Sequence, residues 1–151
     1  MISIKTTHIF YKKNGTLITA RLDIENGINW SIYHLIKNGD RSIIGSMYLF
    51  VDTFVANPHV EIELLCNYTI KDSDSKINNI GRFLIEKAFH YSISNNCSGR
   101  LCIKTRMHNH NYYKNIGFDA TYVIDTDTIV MHLSDNTISQ WSCRLLNSSR
   151  L

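Results

Sequence analysis

Val60-Glu61-Ile62-Glu63-Leu64 is followed, a short way on, by Ile70-Lys71-Asp72-Ser73-Asp74-Ser75-Lys76-Ile77-Asn78-Asn79-Ile80-Gly81-Arg82-Phe83-Leu84. The first segment alternates, with Val60, Ile62 and Leu64 on one face and Glu61 and Glu63 on the other, which predicts a strand over Val60–Ile70. A polar loop then gives way to a helix of about five turns starting near Ile77 or Asn79. Ile80, Leu84, Ala88 and Tyr91 form its apolar stripe, and Phe83, Ile85 and Phe89 outside that stripe predict cover on more than one side. Asn95-Asn96-Cys97-Ser98-Gly99 ends the helix, and Arg100–Thr105 reads as a further strand. A strand, a helix and a strand in that order make a unit with two parallel neighbouring strands.

Upstream of this unit the chain is β-branched and aromatic. Ile2–Lys12 and Thr16–Ile24 flank Lys13-Asn14-Gly15, and Asn-Gly between two such runs is a strong hairpin signal. Ile28–Lys37 and Ser42–Val51 form a second pair through Asn38-Gly39-Asp40. Downstream, a short helix over His108–Asn115 stops at Ile116-Gly117, and Phe118–Ile124 and Thr128–Leu133 close a last hairpin. The expected fold is α+β, layered: a mixed, mostly antiparallel sheet around a central parallel strand–helix–strand unit. It reads as one domain over 1–133 with a tail over 134–151. Ile138, Trp141 and Leu145 recur in that tail at helical spacing, as a short helix docking on the domain or on a partner; a loosely ordered terminus fits the same residues.

Composition narrows the function classes. With 151 residues the chain has material for a sizeable core but little for a second domain. A net charge of +3 without a basic block argues against nucleic acid or membrane as partner. Met1–Phe10 lacks the apolar run of a signal peptide, and Ile43–Val51 is too short to span a bilayer. Cys66, Cys97, Cys102 and Cys143 show no paired spacing, so reduced thiols and a cytoplasmic location are expected, with the sequons at Asn67, Asn96 and Asn147 as chance matches.

Two places bear chemistry. A strand feeding a helix start leaves backbone N–H groups unpaired at the positive end of the helix dipole, a natural site for phosphates. Gly81 would let an anion approach the backbone, and Lys76 and Arg82 would add charge; a plain helix start with a small packing residue is the competing reading. Glu61 and Glu63 are candidate general bases, with Glu63 nearer the end of the strand, against the reading that both simply line a polar face. His108 and His110 make a poor metal pair without a nearby Cys or carboxylate, and His8, His34, His59, His90 and His132 read as structural. Hydrolase signatures such as Gly-x-Ser-x-Gly are absent from the sequence.

Lys76-Ile77-Asn78-Asn79-Ile80-Gly81-Arg82-Phe83-Leu84-Ile85 and Tyr113-Lys114-Asn115-Ile116-Gly117-Phe118, in that order and one helix plus one strand apart, resemble the two signatures of the GNAT-type N-acetyltransferases. The resemblance covers roughly Trp30 to Leu133. It implies acetyl-CoA as cofactor, held in a cleft where the strands over Val60–Ile70 and Arg100–Thr105 splay apart. Lys76, Ile77, Asn78, Asn79, Ile80, Gly81 and Arg82 would form the pyrophosphate loop, and backbone N–H groups at Asn67, Tyr68, Thr69 and Ile70 would hold the pantetheine and polarise the thioester. Tyr113 resembles the tyrosine that protonates the departing thiolate, with Tyr112 as its neighbour in line if the helix shifts by one residue, and Asn109 would contact the coenzyme. Glu63 is the preferred base toward an amine acceptor, a small molecule or a protein lysine or N-terminus.

Lys76 stands where the family has Arg or Gln, Asn79 where it has its first glycine, and Arg106 where it often has Asn. Asn can adopt the left-handed conformation that a glycine would supply. The family's usual pair of helices before the central hairpin is also missing, replaced by the strands around Asn14-Gly15. The acceptor wall is then absent, rebuilt by that hairpin, or supplied by another subunit of a homodimer. The alternative function is a non-catalytic module of the same fold that binds coenzyme A or a protein.

Overall fold

Residues that are β-branched or aromatic at alternate positions favour extended chain, since each strand then buries one face and wets the other. The computed structural model describes residues 6–71 and 74–149. Its elements are β1 (Thr7–Tyr11), β2 (Leu17–Gly27), β3 (Trp30–Lys37), β4 (Ile43–Asp52), β5 (His59–Asn67), α1 (Ile80–Ser94), β6 (Leu101–Arg106), α2 (His110–Ile116), β7 (Phe118–Val123), β8 (Thr128–Leu133) and α3 (Asp135–Ser149). The described residues fall into two compact units. One holds the chain up to Phe50 with Leu64–Lys87, the other Val51–Glu63 with the chain from Ala88 onward; β4, β5 and α1 contribute to both.

In the first unit β1, β2, β3 and β4 form an antiparallel meander. Its turns place Gly15, Asn29 and Gly39 at φ 87°, 61° and 99°, the left-handed conformation that tight hairpins need. The Tyr68 N–H donates to the Ile44 carbonyl at 3.0 Å, bringing the end of β5 onto β4. Ala20, Leu35 and Met47 of the sheet and Ile80, Leu84 and Ile85 of α1 are fully buried. A Cβ on Gly45 would come within 2.6 Å of Ile80 Cγ2, so β4 and the first turn of α1 approach as closely as they do because that position has no side chain. β1 covers another side of the helix. Phe10 meets Phe83 edge-on with ring centroids 5.2 Å apart, and His8 lies 4.7 Å from the same ring. Burial, and then the charge of Lys87, lower the His8 pKa from its ordinary value.

In the second unit the strand order is β5-β6-β8-β7. β5 and β6 run parallel in the register Val60↔Leu101, Glu61↔Cys102, Ile62↔Ile103, while β8 pairs antiparallel with both β6 and β7. Val60, Phe89, Leu101, Phe118, Met131 and Leu133 form the core. α3 is capped at its start, where Ser134 Oγ accepts the Thr137 N–H at 3.1 Å. The helix docks through Trp141, which is 5% exposed and meets Phe89 edge-on at 5.5 Å.

The expected mixed, mostly antiparallel sheet with a central parallel pair is the architecture formed, with a β1–β2 hairpin at the start. Three details differ. The strand expected over Val60–Ile70 ends at Asn67, because Tyr68, Thr69 and Ile70 turn away. α1 begins at Ile80 and has 15 residues, so it is shorter than expected. Tyr91 is half-buried, and the interior position beside it is Ser92, whose Oγ donates to the Arg100 carbonyl at 3.0 Å. The expected strand residues Ile2–Lys5, together with Asp72 and Ser73, lie outside the described residues.

Trp141→Ala should destabilise the second unit by about 3–5 kcal/mol, the usual cost of emptying an aromatic site. Urea unfolding followed by far-UV circular dichroism measures it; a loss below about 1 kcal/mol would mean that α3 docks by other contacts.

Candidate functional site

In the first unit, the turn between β5 and α1 is closed by side chains. Asn67 Oδ1 accepts the Thr69 N–H at 2.9 Å and the Thr69 hydroxyl at 2.5 Å. Asn67 Nδ2 donates to the Ile77 carbonyl at 3.0 Å, and the Ile77 N–H donates back to Thr69 Oγ1 at 2.8 Å. The Asn78 N–H reaches the Tyr11 carbonyl of β1 at 3.0 Å, and Ile77 forms a bridge with Lys12. Asx-type bonding of this kind turns the chain without ladder partners, which is why the strand stops at Asn67.

This clasp divides the residues expected to form the pyrophosphate and pantetheine contacts. The N–H groups of Tyr68, Thr69, Ile77 and Asn78 already have protein acceptors. Asn79 sits at φ 68° immediately before α1, and its carbonyl accepts the Phe83 N–H at 2.9 Å. The first-turn amides of Ile80, Gly81 and Arg82 lie at the helix N-terminus, where the α-helical pattern leaves N–H groups unused and the dipole favours an anion. Lys76 and Arg82 are exposed, Arg82 with Glu86 one turn on at 3.8 Å. The first turn of α1 with these two cations is therefore a more favourable setting for an anion than the turn before it.

In the second unit, one sheet face is polar. The i, i+2 rule puts Glu61 and Glu63 on it from β5, and the register puts Cys102 and Lys104 beside them from β6. These four line a cavity of about 350 Å³ together with Tyr122, Ile124, Val130 and the edge of Ile62. Glu61 is half-buried and Glu63 exposed. The Cys102 thiol is pushed up to about 11, by burial first and then by the charges of Glu61 and Asp52, so it stays protonated at neutral pH.

Tyr113 is on α2 and only 6% exposed, edge-on to Phe118 at 5.8 Å and to Tyr112 at 5.0 Å. Tyr112 itself is 47% exposed. Asn109, at the start of α2, donates through Nδ2 to Thr105 Oγ1 at 3.2 Å. Gly117 ends the helix at φ 134°, where its N–H bonds the carbonyls of Tyr113 and Lys114. A Cβ there would collide with Thr137. The Ile116-Gly117-Phe118 segment thus fixes where α2 stops and how β7 begins.

The sequence matches no protein-family model and no curated protein. Its structure resembles solved ones. A protein from Desulfovibrio desulfuricans assigned to the GNAT family of acetyltransferases superposes with a TM-score of 0.56 at 14% identity, over 71% of this chain and 69% of that one. FeeM, an N-acyl amino acid synthase from uncultured soil microbes, gives 0.58 at 12% identity, over 80% and 77%. A SpeG spermidine N-acetyltransferase chimera of Vibrio cholerae with hSSAT gives 0.51 at 14% identity, over 75% and 69%. The fold is that of the GNAT-type N-acetyltransferases.

Within this GNAT-type fold, sequence reasoning singled out Glu61, Glu63 and Tyr113 but gave no role to Cys102, Lys104 or Tyr122. The signal for Cys102 and Lys104 was the strand pairing, which a single sequence does not display: only the register sets them beside the two glutamates. The Asn67–Thr69–Ile77 clasp was equally hidden, because Ile77 lies eight positions from Thr69 and ten from Asn67.

Two outcomes test these assignments. Asn67→Ala removes bonds to both sides of the clasp and should cost about 1–3 kcal/mol in urea unfolding. At pH 8 an alkylating reagent should modify the exposed Cys143 long before Cys102 in the native chain, read by mass spectrometry of peptides. Equal rates at the two positions would contradict the protonated, half-buried state of Cys102.

Proposed function

We propose that the chain is an N-acyltransferase that uses acetyl-CoA as donor and an amine as acceptor. The observation that carries this reading is the GNAT-type fold, shared with solved structures described as a spermidine N-acetyltransferase and an N-acyl amino acid synthase. Bound acetyl-CoA would supply the acetyl group as an activated thioester, and the coenzyme A thiolate would leave. The amides of Asn79, Ile80, Gly81 and Arg82, with the Lys76 and Arg82 side chains, would hold its pyrophosphate. Asn67 to Ile70 would shape the segment facing the pantetheine, and Asn109 and Tyr112 would add contacts from α2.

Proton handling falls to two side chains. An amine attacks only as the free base, so the acceptor's ammonium proton must go first, and the Glu63 carboxylate is the group assigned to take it. The Tyr113 phenol Oη is the assigned donor to the leaving sulfur. The polar face around Glu61 and Glu63 suits a cationic acceptor. A cytoplasmic location and a homodimer that completes the acceptor wall belong to the same proposal.

A second reading has its own support. The N–H groups of Ile77 and Asn78 are already bonded within the protein, which leaves fewer donors for a pyrophosphate than the full loop would offer. That favours a module with this fold that binds coenzyme A or a protein without turnover.

Calorimetry with acetyl-CoA, followed by assays over a panel of amines, separates the readings. Saturable binding with acetyl transfer is expected, and Tyr113→Phe should lower kcat by about 10²-fold while the affinity for coenzyme A changes little. Binding without transfer selects the second reading. Absence of binding at millimolar coenzyme A overturns both.

A further inference from the structure

The loop joining β4 to β5 brings three potential ligand atoms together in the second unit. Asp52 ends β4, His59 begins β5, and Glu61 shares the His59 face one alternation later. One donor atom from each lies within 4.8 Å of the others, and all three side chains are half-buried. We propose that Asp52, His59 and Glu61 form a binding site for a divalent transition-metal ion.

One of the three spacings already matches that occupant, and the other donor pairs lie within 4.8 Å. An ion held tetrahedrally at about 2.0–2.1 Å from each donor sets neighbouring donors about 3.3 Å apart. His59 Nε2 and Glu61 Oε1 are 3.4 Å apart. Two carboxylates and one imidazole form a mixed oxygen and nitrogen set. The imidazole favours zinc and other late first-row ions over manganese, magnesium and calcium, and three protein donors leave a position open for water.

The donors are also held in place before any ion arrives. Asp52 Oδ1 accepts the Phe54 N–H at 3.0 Å, which orients the carboxylate at the head of the loop. At its other end Arg100 Nε donates to the Pro58 carbonyl at 2.8 Å, immediately before His59. Partners of this kind set ligand orientation in metal sites. Among the described residues no lysine or arginine forms an ion pair with Asp52 or Glu61; His59 is the only such partner. Two half-buried carboxylates and one imidazole therefore share one cluster, a donor set that a divalent cation complements.

The proposal is independent of the acyltransferase reading, because its test needs no acyl donor. Full-length, tag-free protein is titrated with Zn²⁺ in a calorimeter, and with Co²⁺ while visible absorption is recorded. One equivalent of Zn²⁺ should bind, and Co²⁺ should develop the intense d–d bands of a low-coordinate site. Asp52→Asn, His59→Gln and Glu61→Gln are near-isosteric. Each should weaken Zn²⁺ binding by at least about tenfold, the least that losing even an outer-shell partner costs. Thermal unfolding without metal verifies that the variants fold, and added Zn²⁺ should raise the Tm of the parent chain more than that of the triple variant. No saturable Zn²⁺ binding, or equal affinity in parent and variants, overturns the proposal.

Discussion

The parallel pairing of β5 with β6 is the constraint on which the rest depends. Parallel neighbours cannot be joined by a tight turn, so the chain must leave the sheet and return by a crossover, which here is α1. Once that helix is required, one of its sides needs cover. The sheet supplies part of it, β1 supplies more through Phe10 and His8 against Phe83, and α3 supplies the contact of Trp141 with Phe89. The two ends of the chain thus serve one need in separate units, burying the apolar residues of a helix that is hydrophobic on several sides.

The crossover also decides what happens at the start of α1. β5 has to stop and turn before the helix begins, and the chain does this with side-chain bonds among Asn67, Thr69 and Ile77. Every amide used to secure the turn is withdrawn from any ligand. The amides better placed for an anion are those of the first helical turn, which the geometry of the helix leaves without an intrahelical partner. Stability and binding capacity draw on the same set of donors here, and the division between them falls at Asn79, held at φ 68°.

A different balance governs the sheet face of the second unit. Its opposite side is filled by Val60, Leu101, Ile103 and Met131, so alternation forces Glu61, Glu63, Cys102 and Lys104 onto the polar side together. Burial first, and then carboxylates grouped in this way, raise the Cys102 thiol, and beside His59 the carboxylates concentrate negative charge at the end of the β4–β5 loop. Charge density on this face is a consequence of the register, and both the proton acceptor and the ion site proposed above draw on it.

Local sequence patterns were enough for the elements and for their order. Alternation at Val60–Leu64 fixed a strand with glutamates on its wet face, Asn14-Gly15 marked a hairpin, the Ile80–Ala88 spacing marked a helix, and Gly117 marked the end of another. Each rests on interactions within a few residues, which a sequence displays directly. The two GNAT-like segments were visible for the same reason, being contiguous. The tertiary structure alone decided that Cys102 stands beside Glu61, that Asn67 clasps Ile77, that Trp141 finds Phe89, and that Asp52 meets His59 and Glu61. Those pairings depend on register and packing between distant segments, where many partners are compatible with one local pattern and burial selects among them.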